Sequence, residues 1–308
     1  MPSPDIICLG EPLFELNQPK GEEFFRPGHG GDTSNSAIAA ARQGIRVGYL
    51  TAIGADQFGE SFMALWAAEG VDTSMVKRSQ TAHTGLYFVT HGADGHVFSY
   101  MRAGSAASRM TPEDVPADYV KGARILHASG ISLAISSSAA DAVFAAIRIA
   151  RGAGVTVSFD TNLRLRLWPL DRARAVIHAA ATLADILRPG LDDARHLTGL
   201  ADPDHIVDFY LRLGPKIVAL TLGADGAIVA TKDRRERLPP VEVKLVDATG
   251  AGDMFDGAFL AEYLRTGDPF AAGRYANVAA ALSTEGYGAV APMPRRAAVE
   301  AAIKAGRG

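Results

Sequence analysis

The chain has one cysteine, Cys8. No internal disulfide can form, which points to a reducing compartment and a cytoplasmic protein. Cys8 lies in the apolar run IICLG, where a buried strand thiol is expected and not a nucleophile. No stretch of about 20 apolar residues occurs, so no membrane span is expected. The opening MPSPD lacks the basic segment and apolar core of a signal peptide. Neither sign of charge dominates. The 31 Lys and Arg stand against 34 Asp and Glu, which argues against nucleic acid or an anionic membrane as the main partner. The longest arginine cluster, RRER at 234–237, includes an acid and reads as a solvated turn. No G-x-G-x-x-G follows the first apolar run, IICLGEPLFE, and no G-x-x-x-x-G-K-[ST] occurs. A dinucleotide fingerprint and a P-loop are therefore both missing. Histidines such as His29 lack metal-ligand spacing.

What remains is a 308-residue chain that is 48% hydrophobic, enough to bury a sizeable core. Short apolar runs at 5–10, 47–54, 123–129, 155–160, 184–189 and 216–223 read as strands covered on both faces. Helical patterns at 33–43, 57–69, 136–151 and 171–182 lie between them, with Gly70 and Gly152 at expected C-caps. The alternation predicts an α/β fold with a doubly wound, mostly parallel sheet flanked by helices, as a single domain over 1–308. Two segments break the rhythm, 12–28 and 80–105. The second reads TGLYFVT, HGADGH, VFSYMR, a hairpin with a glycine-containing turn. Together they predict a small β-lid over the carboxyl edge of the sheet, where ligands of such sheets bind.

Four motifs carry chemistry. DATGAGD (247–253) follows the alternating run VEVKLV, which reads as a strand, and opens a helix. Gly250 and Gly252 allow close backbone approach, and the helix start adds a positive dipole end, an arrangement suited to a phosphoryl group. Asp253 suits a base that takes the proton of an attacking hydroxyl. Alone, the motif reads better as a glycine-rich turn with Asp253 as the helix's dipole partner, and the other motifs shift that balance. HGGDTSN (29–35) also precedes a helix. Asp32 and Asn35 can bond sugar hydroxyls, or Asp32 or Thr33 can be a plain N-cap. FDTNLRLRLWP (159–169) leaves a strand and offers Asp160, Asn162, Arg164 and Arg166. If extended, it sets both arginines on one side, with Arg166 the better candidate for the surface. TLGADGAIV (221–229) reads as a hairpin whose glycines could border an adenine or ribose.

In combination these motifs resemble the ribokinase-like (PfkB) carbohydrate kinases over nearly the whole chain, with GGDTSN early and DATGAGDMFDGA late. Within the family, GGDTSN, TGLYF, FSYMRAGSAAS, SGISLAIS and FDTNLRLRLWP look most like 2-keto-3-deoxygluconate kinases. The resemblance implies a sugar acid held by Gly31, Tyr87, Tyr100, Arg102 and Arg164, with Ile131 lining the pocket. It implies Asp253 as the base, with Asn162 and Arg164 facing the transferred phosphoryl group. ATP would be met by Thr221, Gly223, Gly226, the Gly250, Ala251, Gly252 loop and Asn277 near the adenine. Ala248 stands where the family has Thr or a similar small residue. GLDD (190–193) stands where the family has N-x-x-E, which leaves Asp193 to act on Mg²⁺ through water. A monovalent cation and a homo-oligomer also belong to the family's range. One point follows from the residues themselves. Arg102 on the hairpin and Arg164 at a strand end can reach one cavity, and two guanidinium groups suit a carboxylate.

The reading is an ATP-dependent sugar-acid kinase acting on the C6 hydroxyl of 2-keto-3-deoxygluconate. Its rivals are a kinase of a neutral sugar, of fructokinase or ribokinase type, and a catalytically silent sugar-acid sensor. The presence of Asp253 and both loop glycines disfavours the sensor.

Overall fold

The computed structural model describes residues 3–19, 21–92 and 95–307. Its main element is an eight-stranded sheet. The strands run in the order Arg235–Leu238, Ala227–Ala230, Ile217–Thr221, Ile186–Arg188, Thr156–Asp160, Ile125–Ser129, Ile6–Leu9 and Val47–Leu50. From Ile217–Thr221 to Val47–Leu50 every pairing is parallel, and the first two strands add an antiparallel edge. Successive side chains point to opposite faces, and both faces are covered. Ile7 and Leu9 join the core on one side, with Leu126, Val157 and Phe159. Ile6 and Cys8 join the core on the other, with Ile125 and Ile186. This double burial is why the strands read as continuous apolar runs. No helix among the described residues is long and apolar enough to cross a membrane.

The helices follow their sequence patterns. Ser137–Gly152 buries Ala139, Ala142, Val143, Ala146, Ile147 and Ala150, a stripe at helical spacing. Ser136 caps it, its Oγ accepting from the backbone N–H of Ala139 at 3.0 Å. Gln57–Glu69 ends at Gly70 in the left-handed conformation, as expected. Gly152 is instead the last residue of its helix; Ala153 follows as cap, and the left-handed residue is Gly154 (φ 74°).

Two helices position the site. Asp32–Arg42 and Ala251–Thr266 pack so closely that a Cβ on Gly257 would lie 2.4 Å from the Cβ of Ala39. This contact sets their N-termini side by side at the carboxyl edge of the sheet.

The two excursions form a second sheet in the order Arg26–Gly30, Leu13–Asn17, Leu86–Gly92, Gly95–Met101. The hairpin pairs antiparallel, and its first strand runs parallel to Leu13–Asn17. The predicted turn contains Ala93 and Asp94, which lie outside the described residues.

Three local expectations are corrected. Residues 47–54 are two strands, the second (Ala52–Gly54) pairing with Lys77–Ser79 in a separate small sheet. RRER is mostly strand: Arg235–Leu238 pairs with Ala227–Ala230, and Arg235 reaches Asp204 at 2.8 Å and also Asp208. VEVKLV is not a strand. It follows Pro239 and Pro240, which have no N–H to give a ladder, at the edge of the sheet. Its end is held by Val246 N–H donating to the carbonyl of Thr284 at 2.8 Å.

Candidate active site

The parallel strands end at one cavity of about 820 Å³. Gly31, Asp32, Asn35, Tyr87, Tyr100, Arg102, Ile131, Asn162, Arg164, Asp193, Gly250, Gly252 and Asp253 all line it. Residues distant in sequence thus converge as the motifs required. The large sheet supplies the floor and the four-stranded sheet supplies Tyr87, Phe98, Tyr100 and Arg102 as a facing wall. Thr221, Gly223, Gly226, Ala251 and Asn277 are outside that wall. Thr221 ends its strand, Gly223–Asp225 is a short 3-10 turn, and Asn277 Nδ2 donates to the carbonyl of Pro239 at 2.8 Å. Ala251 is the first residue of its helix.

Asp253 lies in the first turn of the Ala251–Thr266 helix, partly buried. Gly250 caps that helix with φ 78° and no side-chain cap bond. A Cβ there would lie 2.7 Å from the carbonyl oxygen of Ala289, so the tight loop demands glycine. First-turn amides of a helix have no carbonyl partner within it, which leaves this end suited to an anion. Asn35 Nδ2 donates to Asp253 Oδ2 at 2.8 Å and orients the carboxylate. Burial, with the negative charge of Asp32 beside it, pushes the Asp253 carboxyl from 3.8 up to about 7; Asn35 and Arg188 oppose the shift. A carboxyl poised there can take a proton at neutral pH.

Gly31 caps the Asp32–Arg42 helix with φ 101°, and a Cβ would lie 2.5 Å from the carbonyl of Glu11. Neither Asp32 nor Thr33 is the N-cap. Asp32 instead turns inward, its Oδ2 accepting from Asn162 Nδ2 at 2.9 Å. Its Oδ1 and the Oδ1 of Asn35 are buried with no partner among the described residues. Unpartnered buried acceptors on a cavity wall call for donors from a ligand. Asn162 is the one non-glycine residue with positive φ among those described (24°). That costly conformation sits at the cavity.

FDTNLRLRLWP leaves its strand as turns, not extended chain, because Asn162 reverses the backbone. Arg164 is half exposed, donates to the carbonyl of Leu163 at 2.8 Å and lies 3.8 Å from Asp193. Arg166 is exposed, as expected, and also borders the cavity, donating to the carbonyl of Phe98 at 3.2 Å. Tyr87 is largely buried but lines the cavity; its hydroxyl donates to Glu15 and keeps its acceptor lone pairs. Tyr100 is 42% exposed and faces the cavity freely.

Two charged residues escaped the sequence reading. Glu11, 1% exposed at the end of the first strand, accepts from Arg102 Nε at 2.8 Å and from Ser105 Oγ at 2.6 Å. Burial raises its carboxyl above the usual carboxylate range, and Arg102 and Ser105 offset only part of that rise. Arg188 ends a central strand, buried, and donates to Asp256 through Nε at 2.9 Å and Nη2 at 2.7 Å, and to Asp160. The signal for each was a charge closing an apolar run, in IICLGE and ADILRP.

A divalent metal does not fit the densest acid cluster. Asp160, Asp253 and Asp256 bring carboxylate oxygens within 4.8 Å of one another, but the Arg188 guanidinium already supplies that cluster's cation. Asp193 fits better. It is a wall carboxylate beside Asp192, and one of its oxygens accepts from Leu163 N–H at 2.9 Å. Mg²⁺ is commonly held by one or two carboxylates, waters and phosphate oxygens.

The model of the pfkB family carbohydrate kinases matches residues 5–296. The chain belongs to that family. The 2-dehydro-3-deoxygluconokinase of Thermoproteus tenax is 35% identical over 95% of this kinase and 92% of the relative. That of Bacillus subtilis (strain 168) is 38% identical over 82% and 80%. Fructokinase-1 of Zea mays is 33% identical over 88% and 86%. Among solved structures, a PfkB protein from Polaromonas sp. JS666 superposes with a TM-score of 0.86 at 35% identity, covering 97% of this kinase and 100% of that chain. A fructokinase with bound ATP from Xylella fastidiosa gives 0.89 at 28% identity, covering 98% of each. The fold is ribokinase-like, as the motifs implied.

Proposed function

We propose that this kinase transfers the γ-phosphoryl group of ATP to the C6 hydroxyl of 2-keto-3-deoxygluconate, giving 2-keto-3-deoxy-6-phosphogluconate. The observation that carries the reaction is Asp253, with its carboxyl near 7, at the amide-rich start of a helix and held by Asn35. Asp253 takes the hydroxyl proton, and the 250–252 amides meet charge on the phosphoryl oxygens. Asp32 Oδ1 and Asn35 Oδ1 accept from other sugar hydroxyls. When bound, Mg²⁺ supplies charge neutralisation between the phosphates, with Asp193 and Asp192 the carboxylates that would hold it through water. Thr221, Gly223, Gly226 and Asn277 remain the proposed nucleotide contacts, beyond Asp193 on the side where Gly190 bridges Thr221. The facing sheet excludes water, which would otherwise accept the phosphoryl group.

The acid substrate is supported by Arg102, Arg164 and Arg166 lining one cavity and by relatives named 2-dehydro-3-deoxygluconokinase. One observation favours a neutral sugar instead: Glu11 already occupies two nitrogens of Arg102. Fructokinases stand among the relatives as well. An ATP-consumption assay over a panel of sugars and sugar acids decides. Preference for fructose or ribose over every sugar acid would overturn the acid reading, and no turnover on any member would overturn the kinase.

A further inference from the structure

The buried cation beneath the glycine loop has a free edge. Arg188 offers five N–H donors in a planar fork. Nε and Nη2 are spent on Asp256 and Asp160. Among the described residues nothing accepts from Nη1. That nitrogen lies under Gly252, where a Cβ would come within 3.1 Å of it. Arg188, Gly252 and Asp253 all border the cavity. Arg188 thus ties the end of the Thr156–Asp160 strand to the Ala251–Thr266 helix and still presents two N–H groups beside Asp253.

The electrostatics give that edge a task. Asp32, Asp160, Asp253 and Asp256 converge here, and a phosphoryl group entering among four carboxylates would be repelled. One guanidinium placed against them offsets this charge where the water-poor site makes it count most.

We propose that Arg188 is a catalytic residue whose Nη1 donates to the phosphoryl group as it passes Gly252 from nucleotide to sugar. The claim rests on the kinase reading above and adds a residue to it. In the step, the sugar hydroxyl oxygen bonds to the γ-phosphorus. The bond from that phosphorus to the bridging oxygen breaks, its electron pair leaves with ADP, and the hydroxyl proton passes to Asp253. Arg188 meets the phosphoryl oxygens and holds Asp256 one turn behind the base.

The test compares Arg188→Met, Arg188→Lys and Gly252→Ala with wild type. The readouts are kcat, KM for ATP, the pH profile, and affinity for ADP with Mg²⁺, with and without aluminium fluoride as phosphoryl mimic. For Arg188→Met, kcat should fall about 10²–10³-fold, the cost of losing one preorganised donor. ADP affinity should change by less than about threefold while mimic affinity falls by a factor near that of kcat. The acid limb of the profile should move to higher pH, because Asp253 loses its opposing positive charge while Asp32, Asp160 and Asp256 stay and Asn35 still donates. Arg188→Lys should restore the limb and part of the rate. If the Met variant does not fold, Gly252→Ala carries the test: its Cβ crowds Nη1 and spares the ion pairs, and mimic affinity should drop. Mimic affinity equal to wild type in both Gly252→Ala and Arg188→Lys, or a folded Met variant with kcat within threefold of wild type, overturns the proposal. A wild type that turns over nothing strikes the functional reading instead, and mimic binding then decides the role of Arg188.

Discussion

Arg102, on the four-stranded sheet, donates through Nε to Glu11 Oε2 at 2.8 Å, across the gap to the end of the first strand of the large sheet. The carboxylate is buried, and its other oxygen is held by Ser105. The pair therefore fixes how the guanidinium enters the cavity. Glu11→Gln keeps the shape and a neutral acceptor but loses the charge. A charge-assisted bond contributes about 1.5–3 kcal/mol, so KM for the sugar acid should rise about tenfold, with kcat changed less. Steady-state kinetics check this. An unchanged KM would mean that Arg102 needs no anchor.

Asp253→Asn should stop turnover and spare ATP binding. The amide retains the contact to Asn35 and cannot accept the hydroxyl proton. Loss of a general base costs about 10²–10⁴ in rate. Single-turnover assays beside nucleotide titration separate the two effects, and near-wild-type kcat would remove Asp253 from its role.

The same carboxyl sets two pH dependences. As the proposed base it acts only when ionised, so kcat/KM should rise with pH through about 7, the position to which burial has moved it. Its stability term has the opposite sense. The folded carboxyl keeps its proton to higher pH than the unfolded one, so between 3.8 and about 7 the folded state binds more protons. Its contribution is present below that window and lost as pH rises through it. Asp253→Asn should accordingly raise Tm over wild type more at pH 8 than at pH 5. Thermal melts at both values check it; an equal difference at the two would show that the buried charge is not the cause.

Much of the fold was legible because the signals were local. Ile6–Leu9 and Thr156–Asp160 are buried on both faces and announce themselves as apolar runs. The Gly250–Asp253 turn is visible because steric crowding by Ala289 leaves no alternative to glycine. What stayed hidden was pairing across distance. Nothing local to Glu11 indicates Arg102, 91 residues on. Nothing local to Arg188 indicates Asp256, 68 residues on. VEVKLV misled because alternation describes a strand's faces but not whether a neighbour exists, and the prolines before it end the ladder. Nothing local to Tyr87 indicates Glu15 on the neighbouring strand, to which its hydroxyl donates.

The four-stranded sheet should close when the sugar acid binds. It meets the cavity through Tyr87, Phe98, Tyr100 and Arg102, while Val97 and Met101 are exposed. Segments that cover a substrate commonly move on μs–ms timescales. Hydrogen exchange of residues 84–102 should slow with sugar acid and ADP present. Equal protection with and without ligands would show a fixed wall.

The arginines should decide which substrate is accepted. Arg102→Ala and Arg164→Ala each remove a guanidinium from the cavity lining that would meet a carboxylate. Each should lower kcat/KM for 2-keto-3-deoxygluconate about tenfold to a hundredfold, from about 1.5–3 kcal/mol per charge-assisted bond. A neutral sugar turned over weakly should lose little. The two variants should differ in form. Arg164 is half exposed, its nearest carboxylate is Asp193 at 3.8 Å, and it can swing toward the phosphoryl group, so its loss should lower kcat. Arg102 is leashed to Glu11, so its loss should raise KM. Kinetics of both variants on one acid and one neutral sugar separate these outcomes. Equal losses on the two substrates would mean that the cavity lining does not read a carboxylate, and Arg102 would then serve only to tie the sheets together for a neutral sugar.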